Sequence, residues 1–167
     1  YNCEYAMGFA DRETVQRAKL LIKECNLEPE CRSVVTPARE AAQTGQQDQK
    51  GNQGIYCGAA IELKDGTIIT GNNSPLMHAA TSLIIHAIKH LAGIPEKLQL
   101  LPDYITESVR KLKNPAAQLA LEALKELRDC EVHITHIPTP GDEAGLRRLG
   151  VNLTSDANFS TKNLFIT

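Results

Sequence analysis

The stretch "CEVHITHIPTPGDEAGLRRLGVNLTS", residues 130–155, narrows the fold more than any other. It opens with a β-branched run in which Val132 and Ile134 fall on one face. Thr139 then offers a helix cap, Pro140 suits a first turn, Asp142 stands three residues after the cap, and Gly150 suits the left-handed close. A second run, "VNLTS", follows at once. Strand, short helix and strand at this spacing argue for parallel pairing through a right-handed crossover.

A second constraint comes from "IYCGAAIELKDGTIITG", residues 55–71. Two β-rich runs flank Lys64-Asp65-Gly66, and an Asp-Gly pair supplies the positive φ of a tight hairpin turn. A hairpin and a crossover in one core predict an α/β domain with a mixed sheet and helices on its faces.

The remaining segments read mostly as helices. "DRETVQRAKLLIKECNL" places Val15, Ala18, Leu21, Ile22 and Cys25 in a stripe expected to be buried, with Asp11 or alternatively Thr14 as cap. "SVVTPAREAAQ" is a short helix with Pro37 near its start. Residues 43–54, "QTGQQDQKGNQG", hold no apolar side chain and read as a mobile linker. From Met77 to Leu91 a helix turns Ala80, Leu83, Ile84, Ala87, Ile88 and Leu91 to one side, and Gly93 and Pro95 stop it. "LPDYITESVRKLK", capped by Asp103, and "NPAAQLALEALKEL", capped by Asn114, are two more. The organisation expected is a helical segment over 1–42, a linker over 43–54 and an α/β domain over 55–167.

Composition sets outer bounds on function. The 18 basic residues nearly balance 20 acidic ones, no basic block occurs, and stacking is limited to four tyrosines and three phenylalanines. A nucleic-acid surface is not expected. No apolar run reaches the roughly 20 residues of a membrane helix, and the first residues do not read as a signal peptide. The five cysteines are scattered without a C-x-x-C, which favours reduced thiols and a cytoplasmic setting. Cys25 and Cys31 flank a turn at a distance that a disulfide could span, but free thiols are the preferred reading. The chain starts at a tyrosine, as a piece of a longer protein would.

Candidate chemistry gathers at two corners. In "ITGNNSPLMHAA", residues 69–80, Asn72, Asn73 and Ser74 could cap the following helix, with Pro75 in its first turn. The same letters allow Asn73 and Ser74 to anchor a ligand, with His78 moving a proton. No acid stands nearby in sequence to orient that histidine, so a serine hydrolase is not inferred. The second corner is the carboxyl end of the "HITHI" strand, where open α/β sheets collect ligands. His136 lies there, three residues from His133 and so on the opposite face. Thr139 heads the next helix, whose free N–H groups suit an anion, although Thr139 and Asp142 can satisfy those groups themselves. His86 and His90 share a helix face, but a metal would need a third ligand, so no metal is expected. The candidate set is therefore His78 and His136 for proton transfer, and Asn73, Ser74 and Thr139 for ligand contact.

Two stretches carry a resemblance: "IYCGAAIELKDGTIITGNNSPLMHAATSLIIHAIKHLAGIP" and "NPAAQLALEALKELRDCEVHITHIPTPGDEAGLRRLGVNLTSDANFSTKNLF". They resemble the C-terminal part of a bacterial family known only as domain of unknown function 1846. The likeness runs through most of residues 55–167 and is looser before that. The family implies cytosolic proteins much longer than this chain, with a glycine-rich phosphate loop in their earlier part; none occurs here. The family pattern also has more residues between the equivalents of "RKLK" and "NPAAQ", which here meet at Lys113-Asn114. A fainter likeness of layout is to cytidine deaminase-like domains: hairpin, G-x-N, helix, strand, helix, strand. Their H-A-E is His78-Ala79-Ala80 in this chain and no C-x-x-C follows, so the layout comes without the deaminase chemistry.

The function expected is that of a domain in a larger cytosolic bacterial protein, contributing to the binding of a small phosphorylated or nucleotide-like ligand. No cofactor is identified, and whether the chain is itself an enzyme stays open. The partners expected are a small molecule, further copies of the chain in a homo-oligomer, and the rest of the longer protein. The competing expectation is a structural, oligomer-forming domain that uses the Ala/Leu-rich faces of residues 80–91 and 116–127.

Overall fold

The structure, a computed structural model, describes residues 1–6, 8–95 and 123–159. Its first fixed point is the hairpin turn. Gly66 takes a φ of +83°, and Asp65 Oδ1 accepts the Thr67 N–H at 2.9 Å. The turn joins β1 (Gly58–Glu62) to β2 (Ile68–Asn72). β1 pairs antiparallel with β2 on one side and with β3 (Glu131–Ile134) on the other, and β3 runs parallel to β4 (Asn152–Ser155). The sheet order is therefore β2-β1-β3-β4, a mixed sheet in an α/β fold.

Being central makes β1 apolar on both faces. Ala59, Ala60 and Ile61 are wholly buried. Ala60 meets Val34 and Ala38 at α3 (Val35–Gln47). Ala59 and Ile61 join Leu83 and Ala87 of α4 (Ala79–Leu91), with Val132 and Ile134 of β3. The result is three layers with the sheet in the middle. Both helices approach closely because the strands present glycine to them. A Cβ at Gly58 would lie 2.1 Å from the Ala38 carbonyl oxygen, and one at Gly71 would lie 2.4 Å from the Leu83 nitrogen. The crossover helix α5 (Pro140–Leu149) has Thr139 as its cap, Pro140 in its first turn and Gly150 closing it at φ +79°.

On the α3 face an ionic clamp ties helix to sheet. Arg39 grips both carboxylate oxygens of Asp156, just past β4, at 2.9 and 3.0 Å. Arg32 bonds Glu131 and Thr154, and its Nη2 donates to the Asn152 carbonyl at 3.0 Å. The buried His133 joins this face, with Nδ1 2.9 Å from Thr154 Oγ1 and Nε2 3.5 Å from Asp156 Oδ1.

Several details depart from the sequence reading. The polar run 43–54 is helical as far as Gln47, where α3 continues with Gly45 buried. Glutamine is a fair helix former, and the Ala-Gly side of this helix has the sheet to lie on. The stripe on α2 (Arg12–Glu24) is not buried beyond Val15: Leu21 and Ile22 are 61% and 46% exposed. Helical periodicity shows which face is apolar, not whether anything covers it, and among the described elements α2 lies mainly against the short α1 (Asn2–Ala6). Ala80, Leu83, Ala87 and Ile88 are consumed inside the chain, so that part of the 80–91 face offers no surface to another copy. All five cysteines are free thiols, Cys25 and Cys31 among them. The helix predicted over "LPDYITESVRKLK", most of the next one and the Lys113-Asn114 junction lie outside the described residues. Among those described, no helix is long and apolar enough to cross a membrane.

Candidate functional site

The hairpin's exit and the carboxyl end of β3 lie side by side. Asn73, Ser74, His78, His136 and Thr139 all line one cavity of about 110 Å³. Each gets there for a local reason. β2 ends at Asn72, and the chain turns through Ser74, whose Oγ accepts the Leu76 and Met77 N–H groups at 3.2 and 3.1 Å. Asn73 carries β1 and β2 past their last ladder bond: its Oδ1 accepts the Cys57 N–H at 2.8 Å and its Nδ2 donates to the Ile55 carbonyl at 2.9 Å. Asn72 reaches the other way, donating to the Ala41 carbonyl at 2.9 Å. These side chains stitch strands and α3 together, and the N-cap position of α4 falls to His78.

His78 forms no side-chain cap bond. Its Nδ1 stands 2.6 Å from Asp142 Oδ2, on α5, 64 residues downstream. The same Oδ2 accepts the Thr139 hydroxyl at 2.7 Å, while the Asp142 N–H donates back to Thr139 Oγ1 at 3.3 Å. A carboxylate only accepts, so the proton of this contact sits on His78 Nδ1; in the neutral ring the lone pair is then on Nε2. Asp142 is 16% exposed and His78 63%, so an anchored acid holds a histidine that solvent and solutes can reach. The acid that the sequence reading could not find for His78 is therefore Asp142. It was legible only as a capping residue, because contacts between distant segments leave no local pattern.

Two more groups, His136 and Cys57, line the cavity. His136 is half-buried, and burial pushes its pKa below the ordinary value, so it is neutral at neutral pH. Its Nδ1 lies 3.1 Å from Thr135 Oγ1. Thr135 in turn accepts the Gly58 N–H at 2.9 Å, which locks this corner to the start of β1. Cys57 also lines the cavity; burial pushes its thiol up to about 11, so it is no nucleophile at neutral pH. Nothing in the sequence marked it as a lining residue. None of the described lining residues is lysine or arginine. The head of α5 already holds Asp142 and Glu143. Among the described residues no group of three or more His, Cys, Asp or Glu is placed to hold a metal ion.

The geometry defines an α/β domain with a small, largely apolar cavity at the carboxyl end of a sheet strand, rimmed by an acid-held histidine. Comparison with known proteins supplies the family. The model for "Domain of unknown function DUF1846, C-terminal" matches residues 30–116 and 113–165, and the chain belongs to that family. It is similar to the UPF0371 protein of Clostridium botulinum strain Alaska E43, with 36% identity over 189 residues, and to that of strain Langeland, with 35% over 190. The UPF0371 protein of Clostridium tetani is 33% identical over 189 residues. Each alignment covers 98% of this chain and 38% of the relative, so the chain spans well under half the length of these curated relatives. The family match divides in two around residues 113–116, where "RKLK" meets "NPAAQ".

Proposed function

We propose that this domain binds a small molecule in the cavity between β2–α4 and β3–α5, within a larger cytosolic bacterial protein, and that His78 moves a proton to or from it. The observation that carries the reading is the 2.6 Å contact between His78 Nδ1 and Asp142 Oδ2 at the rim of a cavity that gathers residues from distant parts of the chain. An acid that fixes the tautomer and leaves Nε2 free is the arrangement general-base chemistry needs. His136, neutral through burial, adds a donor or acceptor without adding charge. Ser74 and Thr139 are already engaged with backbone and Asp142; their part is to shape the cavity and keep its acid in place. The portion of the ligand seated here is uncharged: lysine and arginine do not appear among the described lining residues, and Asp142 would repel a phosphate. In a phosphorylated or nucleotide-like ligand the phosphate lies outside this cavity.

The test is a thermal-shift screen of the intact protein against a metabolite panel, repeated with His78→Ala and Asp142→Asn. A ligand of the native state raises the melting temperature. The reading expects a hit whose shift largely disappears in both variants. A hit with the same shift in both would remove His78 and Asp142 from the site. The structural alternative draws on the exposed apolar side of α2, and it gains if no metabolite shifts the protein while changes on α2 alter its assembly.

A further inference from the structure

Large apolar side chains that meet solvent are concentrated before the sheet begins. Tyr1, Tyr5 and Phe9, with Leu20, Leu21 and Leu27, are 48–80% exposed. Val15 is the one buried residue of α2, and every residue from Lys19 to Glu30 is exposed. A lone helix of 13 residues is marginal in water, and α2 adds nothing to the core clusters of the described residues. A single exposed leucine needs no explanation; six large apolar groups within residues 1–27 do.

The segment is a strap tied at both ends to the α3 side of the sheet. Near its start Cys3 Sγ lies 3.2 Å from Ser155 Oγ, and past its end Glu30 pairs with Arg39. Between those ties the apolar side chains stand out from the body.

Two findings independent of that exposure indicate what lies over the strap. The family unit matched here is the C-terminal one, and the match begins at residue 30, after α1 and α2. The curated relatives nonetheless align over 98% of this chain, so they carry the strap as well, and the aligned part is 38% of their length. The strap therefore sits where the C-terminal unit joins the larger remainder of such a protein. Residues 96–122 belong to the matched unit itself. The described residues on either side of them lie across the sheet from the strap: Ile94 bonds back to Lys89 of α4, and Leu127 packs with Leu83 and Ala87.

We infer that residues 1–27 are an interdomain strap, and that in the longer protein the apolar side of α1 and α2 is covered by the preceding domain of the same polypeptide. The surface it meets is itself apolar, because aliphatic and aromatic groups gain by leaving water together.

The test is photo-crosslinking of the intact longer protein with a benzophenone amino acid at position 21. Light and heavy-nitrogen chains are mixed in equal parts, and the products are read by mass spectrometry. Crosslinks are expected within one chain, to residues that precede Tyr1. Crosslinks to 96–122 or 160–167, crosslinks that join light to heavy chains, or no protein crosslink at all would each overturn the inference. Trypsin supplies a second measurement. In the folded intact protein the sites after Arg12, Arg17, Lys19 and Lys23 should be protected, and Leu20→Asp with Leu21→Asp should speed cleavage there by roughly tenfold or more. A parent cut at those sites as fast as the double variant would show a strap open to water, and the preceding domain would lose its place on it.

Discussion

Replacing Gly58 with alanine would put a methyl group 2.1 Å from the Ala38 carbonyl oxygen and 2.5 Å from the Ala42 nitrogen, both on the backbone of α3. A carbon atom settles at roughly 3.5 Å from such neighbours, so α3 would have to retreat by more than about 1 Å. It cannot do so without cost. Val34 and Ala38 are wholly buried against Ala60, and the bidentate Arg39–Asp156 contact holds the outer side of the same helix. Overpacking a core costs about 1–3 kcal/mol, and a backbone clash cannot be relieved by turning a side chain, so a value near 3 kcal/mol is expected. In a chain of 167 residues that corresponds to a fall in melting temperature of roughly 6–12 °C. Circular dichroism during thermal and urea unfolding reads it directly. Gly145→Ala is the control: among the described residues its Cβ meets nothing within 4 Å, and its position inside α5 gains up to about 1 kcal/mol from the exchange. A Gly58→Ala protein melting within about 2 °C of its parent would refute the close approach of α3 to β1.

Acid should loosen the α3 face in two stages. Burial pushes the His133 pKa below its ordinary 6.5, although Asp156 opposes the shift. The unfolded chain therefore takes up its proton first, and stability falls as pH drops below 6.5. His133→Gln should flatten that limb of a urea-midpoint profile; an unchanged slope would show that His133 does not drive it. Burial pushes Asp156 up, but Arg39 and His133 outweigh it and hold the carboxyl below its ordinary 3.8. Its contribution is present above that value and lost as pH falls through the lower folded value. Asp156→Asn should cost about 1–2 kcal/mol at neutral pH, discounted because Arg39 is partly exposed, and the cost should shrink below about pH 4; a constant penalty would count against the ion pair. The buried Cys57 thiol should resist iodoacetamide in the native state while the exposed Cys25 and Cys31 react. Mass spectrometry that finds Cys57 alkylated as fast as Cys25 would contradict its burial.

The parts of this fold that sequence makes legible are those written in neighbouring residues. Asp65-Gly66 announces the hairpin, and Thr139, Pro140 and Gly150 delimit α5, because turns and caps are chosen by chemistry within a few positions. The convergence of Asn73, Ser74 and His78 with His136 and Thr139 could also be anticipated, since strand direction and crossover handedness bring those ends together. Asp142 was visible as a helix-capping acid, but its bond to His78 depends on how two helices sit, which no spacing encodes. The glutamines of 43–47 give no hydrophobic signal, yet the helix through them follows from the surface that Ala41 and Gly45 present. The exposed leucines of α2 show the converse: periodicity marks a face and leaves its covering unspecified.

Of the two inner strands of the sheet, β1 comes first in the chain. Once β1, β2, α3 and α4 have been synthesised they can assemble as a clasp, two helices over a hairpin, but one flank of β1 then has no neighbour. That flank exposes unsatisfied amides and carbonyls beside Ala59, Ala60 and Ile61 until β3 emerges from much later in translation. Nascent chains stalled before Glu131 would therefore carry an adhesive ribbon, and closure of the sheet is timed by the arrival of β3.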